Sequence, residues 1–490
     1  MRWERRSRDP FVDERAGMTP TAGLYATGGV SRGLALLVAG ALFMEILDGT
    51  AIAPAAPHIA ADFGVNAVAI NVAITAYVLT LAVLIPISGW LADRFGPRRV
   101  FMTAVGIFTV ASAGCAVAMN LPMLTTTRVL QGVGGAMMVP VGLLVVLRAT
   151  AKSDLVKAIA YLTWPALVAP VIAPALGGVL STYASWRWIF VINVPMGLAA
   201  LPLARRLVPN ARTPDAARLD WRGFALTAIG IGALMVGIEN IGKPIPASAV
   251  GAIGLTVAAA ALTAAVPYLL RVPRPLLDLR ILAIRTYRVT ALGGSAFRAV
   301  VSAIPFLLAL YFQLGFGWTA ARAGLVVVAL FFGNVAIKPT TTPLMRRVGI
   351  RSVILGALAA SAACLVGIAF VQPTTPLPLL LVLLVLSGTF RSIGFTAYNS
   401  VAFADVQPEQ MTHANTLMST VQELGAGLGV AIGALLVSLG GSLAGTLGLG
   451  TGSDEPFRVA FVILAVILAL PAIEALMLPR TAGNTVTSRA

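Results

Sequence analysis

Apolar positions along this chain do not alternate with polar ones at strand or surface-helix spacing. They fall in long runs of about 20 residues broken by short polar stretches, the length a helix needs to cross a hydrocarbon core. The runs predict helices near 33–54, 68–92, 99–119, 122–147, 157–181, 187–204, 222–241, 248–270, 289–313, 321–345, 351–372, 376–400, 411–440 and 457–478. The expectation is an all-α polytopic membrane protein with 14 transmembrane helices.

Composition agrees. The 490 residues are 58% hydrophobic and 11% charged, against roughly 25% charged in soluble domains. Water does not solvate a surface so poor in charge, so lipid is the expected partner. The content of Gly 48 and Pro 30 is tolerated in membrane helices, where small residues let backbones approach.

Net charge is +16, yet its distribution excludes nucleic acid as a partner. Most basic residues cluster in every second polar stretch. The alternate stretches hold only Arg187, Lys243, Arg322 and Arg458. By the positive-inside rule this predicts an inner (cytoplasmic) membrane protein with both termini in the cytosol. Residues 1–32, with Arg2, Arg5, Arg6, Arg8, Arg15 and Arg32, read as a disordered cytosolic tail, and 479–490 as a second tail. Cys115 and Cys364 are isolated inside apolar runs, and His58 and His413 stand alone, so neither a disulfide nor a metal site is expected. The loops leave no room for a catalytic domain; no enzyme activity and no cofactor are expected, and a monomer is.

The chain repeats itself. At an offset of 253, Pro86, Leu91, Arg94, Gly96, Arg98 and Val100 meet Pro339, Leu344, Arg347, Gly349, Arg351 and Val353. The offset spans eight helices. The predicted organisation is a six-helix half over 33–204, a linker and two extra central helices over 205–270, a linker over 271–288, and a second six-helix half over 289–478. Parallel repeats of this kind hold substrate near the membrane midplane between the halves.

Gly89-Trp-Leu-Ala-Asp-Arg-Phe-Gly-Pro-Arg-Arg99 resembles the helix 2–3 loop signature of the major facilitator superfamily. Gly89 and Gly96 would permit close packing and a tight turn. Asp93, among Arg94, Arg98 and Arg99, would latch the two halves on the cytosolic side. Arg128-Val-Leu-Gln-Gly-Val-Gly-Gly-Ala136 resembles the family's helix 4 motif. Leu47-Asp48-Gly-Thr-Ala-Ile52 resembles the signature of its 14-span drug:proton antiporter branch. Ala173-Pro-Ala-Leu-Gly-Gly178 resembles the helix 5 antiporter motif through Pro174, Gly177 and Gly178, with Ala173 where the pattern has glycine. Trp186-Arg-Trp-Ile-Phe-Val-Ile-Asn-Val-Pro-Met-Gly197 is also similar to that branch. The resemblance implies a proton-coupled exporter of lipophilic small molecules, or of an endogenous metabolite or lipid-like compound. It implies Asp48 as the main coupling acid with Arg128 as its partner. Both lie about 9 Å below one face, from a rise of 1.5 Å per residue, and a static helix-pinning pair is the alternative.

The remaining candidates come from the cost of charge in lipid. Glu45 precedes Asp48 by three residues and shares its helix face. Glu239, Arg298, Lys338, Arg391 and Glu423 also fall within spans. Glu423, with no base within one turn, reads as a carboxylate that would favour cationic substrates; pairing with Arg298 or Arg391 is the alternative. Met137, Met138, Phe297, Tyr311 and Phe312 are candidate cavity-lining residues, with packing against protein or lipid as the favoured alternative. Gly237–Pro244 nearly spells a phosphate-binding loop, but Pro244 replaces the hydroxyl that magnesium needs and no strand precedes it.

Overall fold

The computed structural model describes residues 32–150, 155–209, 219–241, 247–273, 275–407, 410–447 and 452–479. Residues 1–31 and 480–490 of the predicted tails, Arg212 and the end of the near-phosphate-loop sequence lie outside these residues; Arg32, placed in the first tail, starts a helix.

All regular structure in the described residues is helical. In chain order the helices are α1 Arg32–Phe63, α2 Ala67–Phe95, α3 Pro97–Ala116, α4 Leu121–Ala149, α5 Leu155–Tyr183, α6 Trp188–Leu207, α7 Trp221–Asn240 and α8 Ala247–Arg271. Then come α9 Arg285–Gly315, α10 Ala320–Ala336 with Lys338–Val348, α11 Ile350–Ala369, α12 Leu377–Ala402, α13 Met411–Leu447 and α14 Glu455–Leu476. A helix therefore stands at each position the apolar runs indicate. Twelve of them are long and apolar enough to cross a membrane, or thirteen when the two parts of α10, bent by 51°, count as one span. In α5 the described apolar stretch is the shorter Val168–Tyr183.

Polar side chains start several helices where the apolar runs begin. Asn120 accepts from the Met123 amide at 2.9 Å and Asp220 from the Gly223 amide at 2.9 Å, each meeting an orphan donor of a first turn. Large apolar side chains such as Val110, Leu198 and Phe370 face outward, a surface suited to lipid.

Packing repeats at an offset of eight helices. Helix pairs α1–α5, α2–α4, α3–α4 and α3–α6 recur as α9–α13, α10–α12, α11–α12 and α11–α14. The contacts between the two sets, α5–α10 and α2–α13, exchange with each other under the same operation. Glycines make the closest of these approaches. Gly177 lies against the Ala51 carbonyl in α1–α5, and Gly429 against the Ala299 carbonyl in α9–α13. The added pair α7 and α8 packs chiefly on itself and reaches the bundle through α2 and α13.

The two halves are joined mainly at the end remote from the start of α1. There, residues of the first half such as Ala51, Ile59, Ile70 and Phe190 share one apolar core with α9 to α14. The other end of the first half has its own core of Val38, Phe101, Phe108 and Val145. At the remote end Gly178 of α5 sits on the Ala320 carbonyl of α10, and Gly324 of α10 sits on the Pro174 carbonyl of α5. Two hydrogen bonds also cross there, Gln313 Nε2 to the Pro54 carbonyl at 3.0 Å and the Ala321 amide to Thr182 Oγ1 at 3.0 Å. This end is closed.

Candidate functional site: a central cavity beside a buried charge network

Between the halves lies a cavity of about 350 Å³, within the range of small-molecule sites. Helices α1, α2 and α5 supply one wall, with Glu45, Tyr77, Val78 and Pro170. Helices α9, α10, α12 and α13 supply the other, with Arg298, Phe331, Arg391 and Glu423. Most of the lining is apolar, so these four charges dominate its field.

Glu45 reaches this cavity, and its Oε2 is buried with no hydrogen-bond partner. Its carboxyl group packs beside Gly135, where a Cβ would touch it at an ordinary 3.7 Å but would crowd Leu81 at 2.9 Å. Glu423 and Asp48 both lie within its electrostatic reach.

One turn further along α1, Asp48 is fully buried and lies outside the cavity lining. Its Oδ2 accepts from Arg128, and its Oδ1 accepts from Gln131 Nε2 at 2.9 Å and Asn193 Nδ2 at 2.7 Å. Arg128 also donates to Gln131 Oε1 at 2.7 Å, and Gln131 to Ser112 Oγ at 2.8 Å. The Arg128 guanidinium lies 4.0 Å from the centre of the Tyr77 ring. Helices α1, α4 and α6 are thus tied through one carboxylate, with α3 joined through Gln131 and Ser112, and Asp48 and Arg128 are direct partners. Gln131 and Asn193 were not singled out from sequence. Both stand inside recognised motifs, Gln131 one turn from Arg128, and that spacing was the available signal.

Several expectations need correction. For Glu423 the unpaired reading gives way to its stated alternative: Arg298, across from it on α9, donates to its Oε1 at 3.2 Å. Helical spacing along α13 alone could not choose between the two. Tyr311 is fully buried, donates to the Val371 carbonyl at 2.7 Å and stacks among Phe312, Phe316 and Phe461, away from the cavity. Phe297 is likewise buried, beside Tyr398. Met138 is fully buried in the separate first-half core and Met137 packs against that core; neither lines the cavity. Apolar helices carry core and cavity residues with the same composition, so sequence did not separate them.

The helix 2–3 loop also differs in part. Asp93 pairs with Arg148 of α4 at 3.0 Å, a partner within the first half. Arg98 donates through Nε to the Val208 carbonyl at 2.6 Å, tying α3 to the end of α6. Arg94 closes the last turn of α2, where a cation complements the helix dipole. Gly96 turns the chain at φ +89°, as a tight turn requires. Gly89 faces open space: a Cβ there would meet nothing within 4 Å, so close packing is not its role. Of the other intramembrane charges, Glu239 accepts from Asn71 Nδ2 at 3.1 Å and Lys338 donates to Thr396 Oγ1 at 3.0 Å.

The family model described as Major Facilitator Superfamily matches residues 38–430 and 290–490. The chain belongs to the Major Facilitator Superfamily. It is 35% identical over 441 residues to a protein of Cronobacter sakazakii provisionally named multidrug resistance protein MdtD, covering 89% of this chain and 92% of the relative. A Serratia proteamaculans protein of the same name is 35% identical over 459 residues, covering 92% and 94%. Solved structures share the fold. An auto-inhibited POT family peptide transporter gives a TM-score of 0.67 at 14% identity, covering 94% of this chain and 97% of its own. A bacterial homologue of the human lysosomal transporter Spinster, inward-facing and unoccupied, gives 0.62 at 17% identity, covering 92% and 96%. Membership in the superfamily makes the chain a multi-span membrane transporter and not an enzyme.

Proposed function

We propose that this superfamily member is a proton-coupled exporter of lipophilic small molecules in the inner membrane, with fourteen spans, two six-helix halves and both termini cytosolic. The names of its relatives support drug efflux. One observation carries the coupling: Glu45 and Asp48 share a face of α1, and only Glu45 borders the cavity. The free Oε2 of Glu45 is where a proton enters. Asp48, held by Arg128, Gln131 and Asn193, senses that change from the neighbouring turn. Protonating Glu45 removes one of two adjacent negative charges and so alters the balance of the network that joins α1, α3, α4 and α6. This assigns the cavity step to Glu45 and the transmission to Asp48 and Arg128.

The decisive experiment uses purified full-length protein in liposomes with an imposed proton gradient and no nucleotide. A neutral lipophilic dye moves uphill only while the gradient lasts, and Glu45→Gln abolishes uphill movement while downhill exchange continues. Uphill transport by that variant at the wild-type rate would sink the assignment. Uphill transport by wild type without any proton gradient would sink the coupling itself.

A further inference from the structure

The 253-residue offset extends into the cavity. It superposes Glu45 on Arg298, Val78 on Phe331 and Pro170 on Glu423, and all six residues line the same space. The lining positions therefore repeat between the walls while their side-chain chemistry does not. An acid in the first half stands where the second half has a base.

Pairing then removes two of the four charges. Arg298 and Glu423 neutralise each other within the second-half wall. What remains is Glu45 on the first-half wall and Arg391 on the second. Arg391 is 5% exposed, donates through NH1 to the Val301 carbonyl at 3.3 Å and lies 5.3 Å from the Phe331 ring. A guanidinium has five N–H donors; among the described residues one of them is seen bonded, and the side chain borders the cavity. Glu45 thus stands on one wall, and on the other Arg391 stands with the Arg298–Glu423 pair.

A purely cationic substrate would satisfy Glu45 and leave Arg391 desolvated without a counter-charge. A purely anionic one would do the reverse. An uncompensated charge in an apolar site is costly, and a molecule with both signs at opposite ends avoids both penalties.

We propose that the cavity selects amphoteric lipophilic substrates, with an ammonium group at Glu45 and a carboxylate at Arg391. The proposal rests on the efflux reading of this cavity. It also gives the two halves a shared ligand: the substrate bridges walls that separate during transport, and a proton arriving at Glu45 Oε2 releases the ammonium end.

The test uses three probes on one scaffold: para-(aminomethyl)phenylacetate, para-methylbenzylamine and para-methylphenylacetate. Binding to the full chain in lipid nanodiscs is measured by calorimetry, and transport of the three probes and of a neutral dye is followed in liposomes from the same preparation. The amphoteric probe should bind about tenfold or more tighter than either single-charge probe. Arg391→Gln should remove that advantage while the amine probe keeps its affinity, and Arg391→Lys should restore part of it. Equal binding of the amphoteric probe and the amine by wild type would overturn the proposal. So would an Arg391→Gln protein that weakens all three probes alike, which marks a packing role. If amphoteric preference and its loss in Arg391→Gln are seen but no compound moves under a proton gradient, the site chemistry stands and the efflux reading falls.

Discussion

Gly96 and Gly349 sit 253 residues apart and turn the chain with one geometry, φ +89° and ψ 136° against φ +86° and ψ 145°. Each ends a helix and starts the next, α2 to α3 and α10 to α11. A side chain is strained in this region of backbone space by about 1–3 kcal/mol. Gly96→Ala and Gly349→Ala should each lower thermal stability in detergent, whereas Gly89→Ala, with nothing within 4 Å of its Cβ, should not. Equal melting temperatures for all three would contradict the turn assignment.

Arg128 and Asp48 should respond unequally to substitution. Removing one member of a buried ion pair costs about 3–5 kcal/mol when the other charge is stranded. Arg128→Ala strands Asp48 and should reduce folded yield sharply. Asp48→Asn strands Arg128 in turn, and each survivor keeps neutral partners. But Asn has the shape of Asp and retains an acceptor oxygen for Arg128, whereas Ala empties the buried volume of the arginine. Asp48→Asn should therefore fold better while losing uphill transport. Size-exclusion recovery and liposome transport separate the two effects, and equal yields would argue against this account.

Asp93→Asn should leave stability nearly unchanged, because its pair with Arg148 is about one-third exposed on each side and such pairs are worth about 0–1 kcal/mol. Transport should nevertheless fall, since the loop belongs to the end of the bundle that must rearrange. Wild-type efflux from a normally expressed Asp93→Asn protein would remove the loop acid from the transport cycle.

Topology can be checked by labelling after Cys115 and Cys364 are replaced. A cysteine at Asn66 or Gln372 should react with an impermeant reagent applied outside intact cells, and one at Arg212 should not. The reverse pattern would invert the proposed orientation.

Helix positions were legible from the chain because lipid demands uninterrupted apolar length, and α1 to α14 fall where the runs do. The repeat was legible because Gly96 and Gly349 each serve a backbone geometry that other residues resist. The Asp48–Arg128 pair was legible because both stand in motifs that resemble the family's and lie at similar depth. For Glu423 spacing left an unpaired carboxylate and a pair with Arg298 or Arg391 both open, because a partner on α9 is a relation no local spacing encodes. For Tyr311 and Met138 cavity lining and packing both stayed open, because burial against protein and exposure to a cavity call for similar side chains. Asn193 was passed over because its amide is neutral and carries none of the cost that flags a charge.

At the closed end, α5 and α10 meet backbone to backbone through Gly178 on a carbonyl and Gly324 on a carbonyl, with the Thr182 hydroxyl of α5 accepting from the Ala321 amide of α10 beside them. Parting such a bearing breaks no ion pair among the described residues. Its resistance is the loss of close dispersion contact, two neutral hydrogen bonds and nearby apolar burial. A gate of this construction is insensitive to ionic strength at the contact, so the salt content of the medium on that side should leave its opening rate alone. A methyl group placed at Gly178 would act as a wedge, holding open the passage that the native contact shuts.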